Sequence, residues 1–155
     1  MSLERSLTAA QGYLELGMPA EALRELEQLP LEFSARAEIL QLRLVILMRA
    51  REWSAALETC EELRIRYPER SVGYIHGAFC LHELRRTDEA RAMLLEGPES
   101  LRRDPTFHYN MACYEATLGE SERAMQYLRV SFSLDPAFVR IARNDPDLAS
   151  IHDRL

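Results

Sequence analysis

Residues 118–128 read LGESERAMQYL, and the alanine inside this stretch recurs along the chain at a constant interval. Alanines stand at 22, 56, 90 and 124, which are 34 residues apart (56 − 22, 90 − 56 and 124 − 90). The positions twelve residues before and four residues after each alanine are always small or apolar. They hold Ala10, Leu44, Ala78 and Ala112, and then Leu26, Cys60, Leu94 and Leu128. A period of this length predicts four copies of one structural unit.

Each unit is predicted to be a helix, a short turn and a second helix, because apolar residues recur at spacings of three and four on both sides of a polar break. Gly17 and Gly119 occupy the break in the outer units and suit a left-handed helix end. Arg51 and Arg85 occupy it in the middle units and have to form the same turn without glycine. The repeated alanine lets two helix backbones approach closely.

Prolines set the expected ends of several helices. Pro30 should shorten the second helix of the first unit, and Gly97-Pro98 should end that of the third unit after about Glu96. An aspartate before proline favours a helix start, because the aspartate caps the helix and proline fits its first position. This pair occurs at 104–105, 135–136 and 145–146, and Met18-Pro19 marks a fourth start.

These features resemble a tetratricopeptide repeat (TPR) protein of the bacterial type that ends in a group-closing segment. The resemblance covers about residues 3–136 and rests on AAQGYLELGMPAEALREL, LVILMRAREWSAALETCEELRIRYP, GAFCLHELRRTDEARAML and YNMACYEATLGESERAMQYLRVSFSLDP. It implies one all-α domain, a right-handed superhelix whose first helices line a concave groove. The repeats would span about residues 3–34, 35–68, 69–103 and 104–136.

Residues 137–155, here called the C-terminal tail, are expected to cap this superhelix. A last repeat exposes an apolar flank that has to be covered. Two short helices could cover it with Phe138, Ile141, Leu148 and Ile151.

Composition limits the classes of partner. The formal net charge is −6, and clustered positive charge is missing, so we expect no nucleic acid. All 19 cationic residues are arginine, which removes lysine chemistry. Three cysteines without a CxxC motif favour reduced thiols and a cytoplasmic location. The longest apolar run, Leu44 to Met48, is too short to span a membrane.

The first helices carry a largely apolar face that an isolated helix pair would leave in water. Contiguous apolar surface usually marks an interaction site, and in a TPR-like superhelix this face would lie along the groove. The predicted groove residues are Leu7, Gln11, Leu14, Gln41, Val45, Met48, Arg49, Ile75, His76, Phe79, His82, Tyr109, Asn110 and Cys113.

We therefore predict a non-catalytic scaffold or adaptor that binds a peptide or a helix of a partner protein in this groove. Met48 and Phe79 indicate an apolar, adaptable contact. Without lysine, the carboxylate clamp of some TPR domains is not expected. The alternative is a structural, self-associating module, possible as a homo-oligomer, whose groove is filled by its own tail or by another copy. Packing of the same side chains between adjacent helices also stays open.

The sequence gives little support for an enzymatic function. The sequence lacks the usual nucleotide, metalloprotease and serine-hydrolase motifs. Cys113 with His76, His108 and Asn110 has the residue types of a cysteine nucleophile and its partners, but nothing supplies an oxyanion hole. His76 and Cys80 are spaced to share a metal ion but lack a third ligand. We predict no catalytic residues, no metal and no cofactor.

Overall fold

Helices make up the regular structure of the chain, and the computed structural model describes residues 2–155. No β-strand occurs within this range. The α-helices are α1 (Leu3–Glu15), α2 (Pro19–Glu27), α3 (Leu31–Ser34), α4 (Ala37–Arg49), α5 (Trp53–Arg66), α6 (Val72–Glu83), α7 (Thr87–Leu95), α8 (Pro105–Thr117), α9 (Ser121–Leu134) and α10 (Phe138–Arg143). Two 3₁₀ segments cover Glu99–Arg103 and Pro146–Arg154. No helix in residues 2–155 is both long and apolar enough to cross a lipid bilayer.

Four helix pairs follow one another, as the period of 34 residues predicts. The pairs are α1 with α2, α4 with α5, α6 with α7, and α8 with α9. Neighbouring pairs are joined by packing of α2 on α4, of α5 on α6 and of α7 on α8. The predicted all-α solenoid of four helix-turn-helix repeats is therefore confirmed.

The repeated alanines lie at the contacts inside the pairs. Ala22, Ala56, Ala90 and Ala124 each have no solvent-exposed surface. The position twelve residues earlier, on the first helix, is also buried in every pair. A larger side chain at the alanine position would hold the two backbones apart, which explains why alanine recurs there.

The turn inside each pair has the same hydrogen bonds in all four repeats. Gly17, Arg51, Arg85 and Gly119 all have positive φ angles, of 72°, 58°, 65° and 83°. In the second repeat Arg51 N–H donates to the Met48 carbonyl and Glu52 N–H donates to the Leu47 carbonyl. The equivalent bonds close the other three turns. This is the Schellman arrangement, and the two arginines adopt the left-handed conformation that glycine would adopt with less strain.

Two second helices are short, and the prolines explain them. α2 and α7 have nine residues each, whereas α5 and α9 have fourteen. α7 ends at Leu95, close to the predicted end at Glu96. Leu101 then folds back and is 1% exposed. A Cβ atom on Gly97 would lie 2.3 Å from Leu101 Cδ1, so only glycine leaves room for this packing.

The expected proline starts are confirmed at three of four sites. α2 begins at Pro19, α8 at Pro105 and the last 3₁₀ segment at Pro146. The start expected at Pro136 is wrong, since α10 begins at Phe138. The Asp135 carboxylate accepts a hydrogen bond from Ala137 N–H and forms a turn before the helix instead.

Replacing Arg51 by glycine should raise the free energy of unfolding by about 0.5–1 kcal/mol, because glycine relieves the left-handed strain. The matched control is Arg43→Gly on the exposed face of α4, where the same change should lower it by about 1 kcal/mol. Urea unfolding followed by circular dichroism measures both. A destabilised Arg51→Gly variant would contradict the strain assigned to this turn.

Candidate functional site

The predicted groove residues differ widely in exposure. Exposed side chains belong to Gln11, Val45 and Arg49. Partly exposed side chains belong to Leu7, Gln41, Met48, Ile75, His76, Phe79, His82 and Asn110. Buried side chains belong to Leu14, Tyr109 and Cys113, at 9%, 6% and 4% exposure. Solvent therefore reaches the predicted groove face on α1, α4 and α6, whereas Tyr109 and Cys113 on α8 are covered.

The accessible part carries apolar side chains beside amides. Val45 is 42% exposed although its neighbours Leu44 and Ile46 are fully buried. Phe79 is partly exposed and packs edge-on against Trp53, with ring centroids 5.7 Å apart. We call the face formed by Gln11, Gln41, Val45, Met48 and Phe79 the open groove segment.

The C-terminal tail covers the groove face of α8. The Tyr109 hydroxyl donates a hydrogen bond of 2.5 Å to Asp145 Oδ2. The Cys113 thiol donates to the same oxygen at 3.7 Å. The Phe138 ring lies 5.1 Å from the Tyr109 ring, measured between centroids. Tyr109 and Cys113 therefore contact the chain's own tail rather than solvent.

Further contacts attach the tail to α6 and α9. His82 Nε2 lies 3.0 Å from Asp147 Oδ2, and the Arg154 guanidinium donates to the Glu122 carboxylate at 2.7 Å. Beneath these polar contacts, Leu148 and Ile151 are 0% and 1% exposed and belong to the main apolar core. The tail is thus part of the folded core as well as a cover for the groove.

The expected role of Ile141 in this cap is wrong. Ile141 is 50% exposed, and Ala142 on the same short helix is fully buried instead. α10 has only six residues, so a change of one residue in its starting point turns a different face toward α9. The expected burial of Leu148 and Ile151 agrees with the structure.

The cysteine chemistry considered from the sequence lacks its geometry. Burial and the carboxylates of Asp145 and Asp147 raise the pKa of the Cys113 thiol, which opposes formation of a thiolate nucleophile. His108 Nε2 lies 2.7 Å from the Arg102 carbonyl oxygen. Within residues 2–155 no hydrogen bond joins Cys113 to a histidine. The Cys113 thiol donates instead to the Asp145 carboxylate in the tail.

The spacing of His76 and Cys80 also brings no metal ligands together. Cys80 is fully buried, and its thiol shares a hydrogen bond with Cys60 on α5. Burial alone lowers the pKa of His76. One group of ligand-type side chains does form in residues 2–155, and it consists of Cys113, Asp145 and Asp147. Sequence reasoning identified Asp145 only as a helix cap, which it is, since its Oδ1 accepts from Asp147 N–H at 2.9 Å.

Solved structures share this arrangement of helices. MamA residues 41 to the end from Desulfovibrio magneticus RS-1 superimposes with a TM-score of 0.81, covering 97% of this chain and 84% of that chain at 16% identity. A crystal structure of MamA protein gives 0.80 with the same coverage and 13% identity. MamA MSR-1 gives 0.73 at 16% identity, covering 88% of this chain and 79% of that one.

The chain has the TPR-like solenoid fold. MamA is itself TPR-like, so the family resemblance in the sequence agrees with the structural similarity. A coverage of 97% has to include most of the C-terminal tail, which is therefore part of the shared architecture. No protein-family model matches the sequence. No curated protein matches it either.

Replacing Leu148 by alanine should lower the free energy of unfolding by about 2–5 kcal/mol, because a fully buried leucine leaves a cavity. The control is Leu134→Ala, a leucine at the end of α9 that is 46% exposed and should cost less than about 1 kcal/mol. Chemical denaturation measures both values. Equal, small losses would mean that the tail is not docked in solution.

Proposed function

We propose that the protein is a non-catalytic protein-interaction scaffold that binds a peptide or a helix of a partner protein along the open groove segment. The observation that carries this proposal is the exposure of Val45, with Met48 and Phe79 partly exposed, on a face where the solenoid packing does not require apolar residues. Apolar surface of this kind is the usual feature of an interaction site.

The chemistry of the open groove segment suits a peptide ligand. Burial of Val45, Met48 and Phe79 against apolar side chains would supply affinity. Gln11 and Gln41 carry amides that can donate to and accept from a peptide backbone. Met48 adapts its shape to different side chains. Arg49 is exposed on α4 and would favour an acidic residue in the ligand.

The proposed site is narrower than the sequence predicts. Leu14 lies in the core of the first repeat, and Tyr109 and Cys113 hold the tail. A ligand would therefore run along α1, α4 and α6 and end where the tail begins. The TPR-like fold supports a general role in protein interaction. The raised pKa of Cys113 supports a role without catalysis.

A peptide-display library selected against the immobilised protein tests this function. A selected peptide should bind the unmodified protein, and Val45→Glu should weaken its Kd about tenfold or more because a charge replaces apolar contact. Fluorescence anisotropy measures the Kd. The matched control is Ile65→Glu on α5, a residue that is 80% exposed outside the groove.

Ile65→Glu should leave the Kd within about twofold, since surface changes outside a site have small effects. Both variants change exposed positions, and unchanged melting curves would confirm that they fold. Failure to select any peptide, or equal weakening by both variants, would contradict binding in the open groove segment.

A second candidate function is a structural module whose groove is filled by the chain itself. The contacts of Asp145 with Tyr109 and Cys113 favour it, because they already fill the groove face of α8. Filling by the chain's own tail predicts a monomer in sedimentation velocity over a wide concentration range. Filling by another copy predicts a dimer or larger species that Val45→Glu dissociates.

A further inference from the structure

A compact group of metal-ligand side chains lies where the C-terminal tail meets α8. Cys113 Sγ and one carboxylate oxygen each from Asp145 and Asp147 all lie within 4.8 Å of one another. His82 on α6 lies at the edge of this group, with Nε2 3.0 Å from Asp147 Oδ2. Residues from two helices of the solenoid and from the tail thus converge on one place.

Protein groups compensate the charges of the two carboxylates only in part. Asp145 has no arginine or lysine in ion-pair contact within residues 2–155, and Asp147 pairs only with His82. Two carboxylates this close repel each other unless a cation or a proton compensates them. The hydrogen bond from His82 and the charge of Arg85 lower the pKa of the Asp147 carboxyl, and a bound cation would supply the positive charge that Asp145 lacks.

A buried polar group next to the cluster also lacks a partner. The Tyr114 hydroxyl has no hydrogen bond in residues 2–155, although the residue is only 1% exposed. Its ring packs on the His82 imidazole, with centroids 5.1 Å apart. Buried hydroxyls without a partner are rare, and an ion with bound water is one way to satisfy them.

The donor set selects among metal ions. A thiolate favours zinc over magnesium or calcium, which prefer oxygen alone. Zinc binds sulfur at about 2.3 Å and oxygen or nitrogen at about 2.0–2.2 Å in a tetrahedron, which separates ligand atoms by roughly 3.3–3.6 Å. The Cys113 Sγ to Asp145 Oδ2 distance is 3.7 Å, close to this geometry.

Outer contacts already orient two of the donors. The Tyr109 hydroxyl donates to Asp145 Oδ2. His82 Nδ1 lies 2.9 Å from Thr87 Oγ1, which fixes the ring and directs Nε2 to the Asp147 carboxylate. Hydrogen bonds of this kind hold metal ligands in place in known zinc sites.

We propose that Cys113, Asp145 and Asp147 bind Zn²⁺ with a water molecule as the fourth ligand, that His82 supports Asp147 by hydrogen bonding, and that the ion fastens the C-terminal tail to α8. Binding replaces the Cys113–Asp145 hydrogen bond by bonds to zinc and leaves the His82–Asp147 hydrogen bond in place. The thiol proton passes to solvent, so that a thiolate and two carboxylates face the double charge of the ion. No electron transfer is involved.

Metal loading of the full chain, purified without a histidine tag and under reducing conditions, tests the site. After incubation with Zn²⁺ and gel filtration, we expect one zinc per chain by elemental analysis. With Co²⁺ as a coloured substitute, we expect a sulfur-to-cobalt absorption band that disappears in Cys113→Ser. Zinc should also raise the melting temperature by several degrees, because the ion binds the folded chain.

Matched variants separate this site from non-specific binding. Asp147→Asn should weaken zinc binding at least about tenfold, as removal of a charged ligand does. Asp153→Asn makes the same change at an exposed tail position outside the cluster and should bind as the unmodified chain does. Circular dichroism checks that all variants fold.

Absence of zinc from the unmodified chain would overturn the proposal. The proposal would also fail if Cys113→Ser and Asp147→Asn bound zinc as tightly as the unmodified chain does. A variant that fails to fold is replaced by Cys113→Ala or Asp147→Ala, with the same expectations. The outcome is independent of peptide binding, because none of these positions belongs to the open groove segment.

Discussion

The close approach of two helix backbones at a buried alanine is the constraint on which the structure depends. Each alanine lies five residues after the residue with the left-handed conformation, so the second helix returns along the first at short distance. Because the turn has the same hydrogen bonds in every repeat, each pair has nearly the same shape and the pairs can stack. Stacking uses one face of each first helix, and on α1 and α4 it leaves side chains such as Gln11 and Val45 exposed on another face.

The last helix pair, α8 with α9, has no following repeat to pack on. The tail takes the place of the next pair by inserting Leu148 and Ile151 into the core. Its path then crosses the groove face of α8, because Asp145 caps the final 3₁₀ segment and binds Tyr109 at the same time. One carboxylate therefore both starts the segment and fixes its position on the solenoid.

The sequence predicts the repeated features well and the tail contacts poorly. The period located the buried alanines, and the residue type at the break located the turns, because both effects are local. Pro30 and Gly97-Pro98 correctly predicted the two short helices for the same reason. The burial of Tyr109 was not predictable, since its register places it on the groove face while a segment 36 residues later covers it. The predicted burial of Ile141 was wrong because the sequence marks the start of a six-residue helix poorly.

Helix α6 carries residues of both the tail contact and the open groove segment. His82, which binds Asp147 of the tail, follows Phe79 of the open groove segment by three residues, so the two side chains lie on neighbouring turns of one helix. The apolar anchors of the tail lie in the core, whereas its contact with His82 lies at the partly exposed Asp147. A change at Asp147 can therefore alter the edge of the groove without removing the tail from the core. This separation leaves the polar contact of the tail beside Phe79, apart from the buried side chains that hold the tail to the fold.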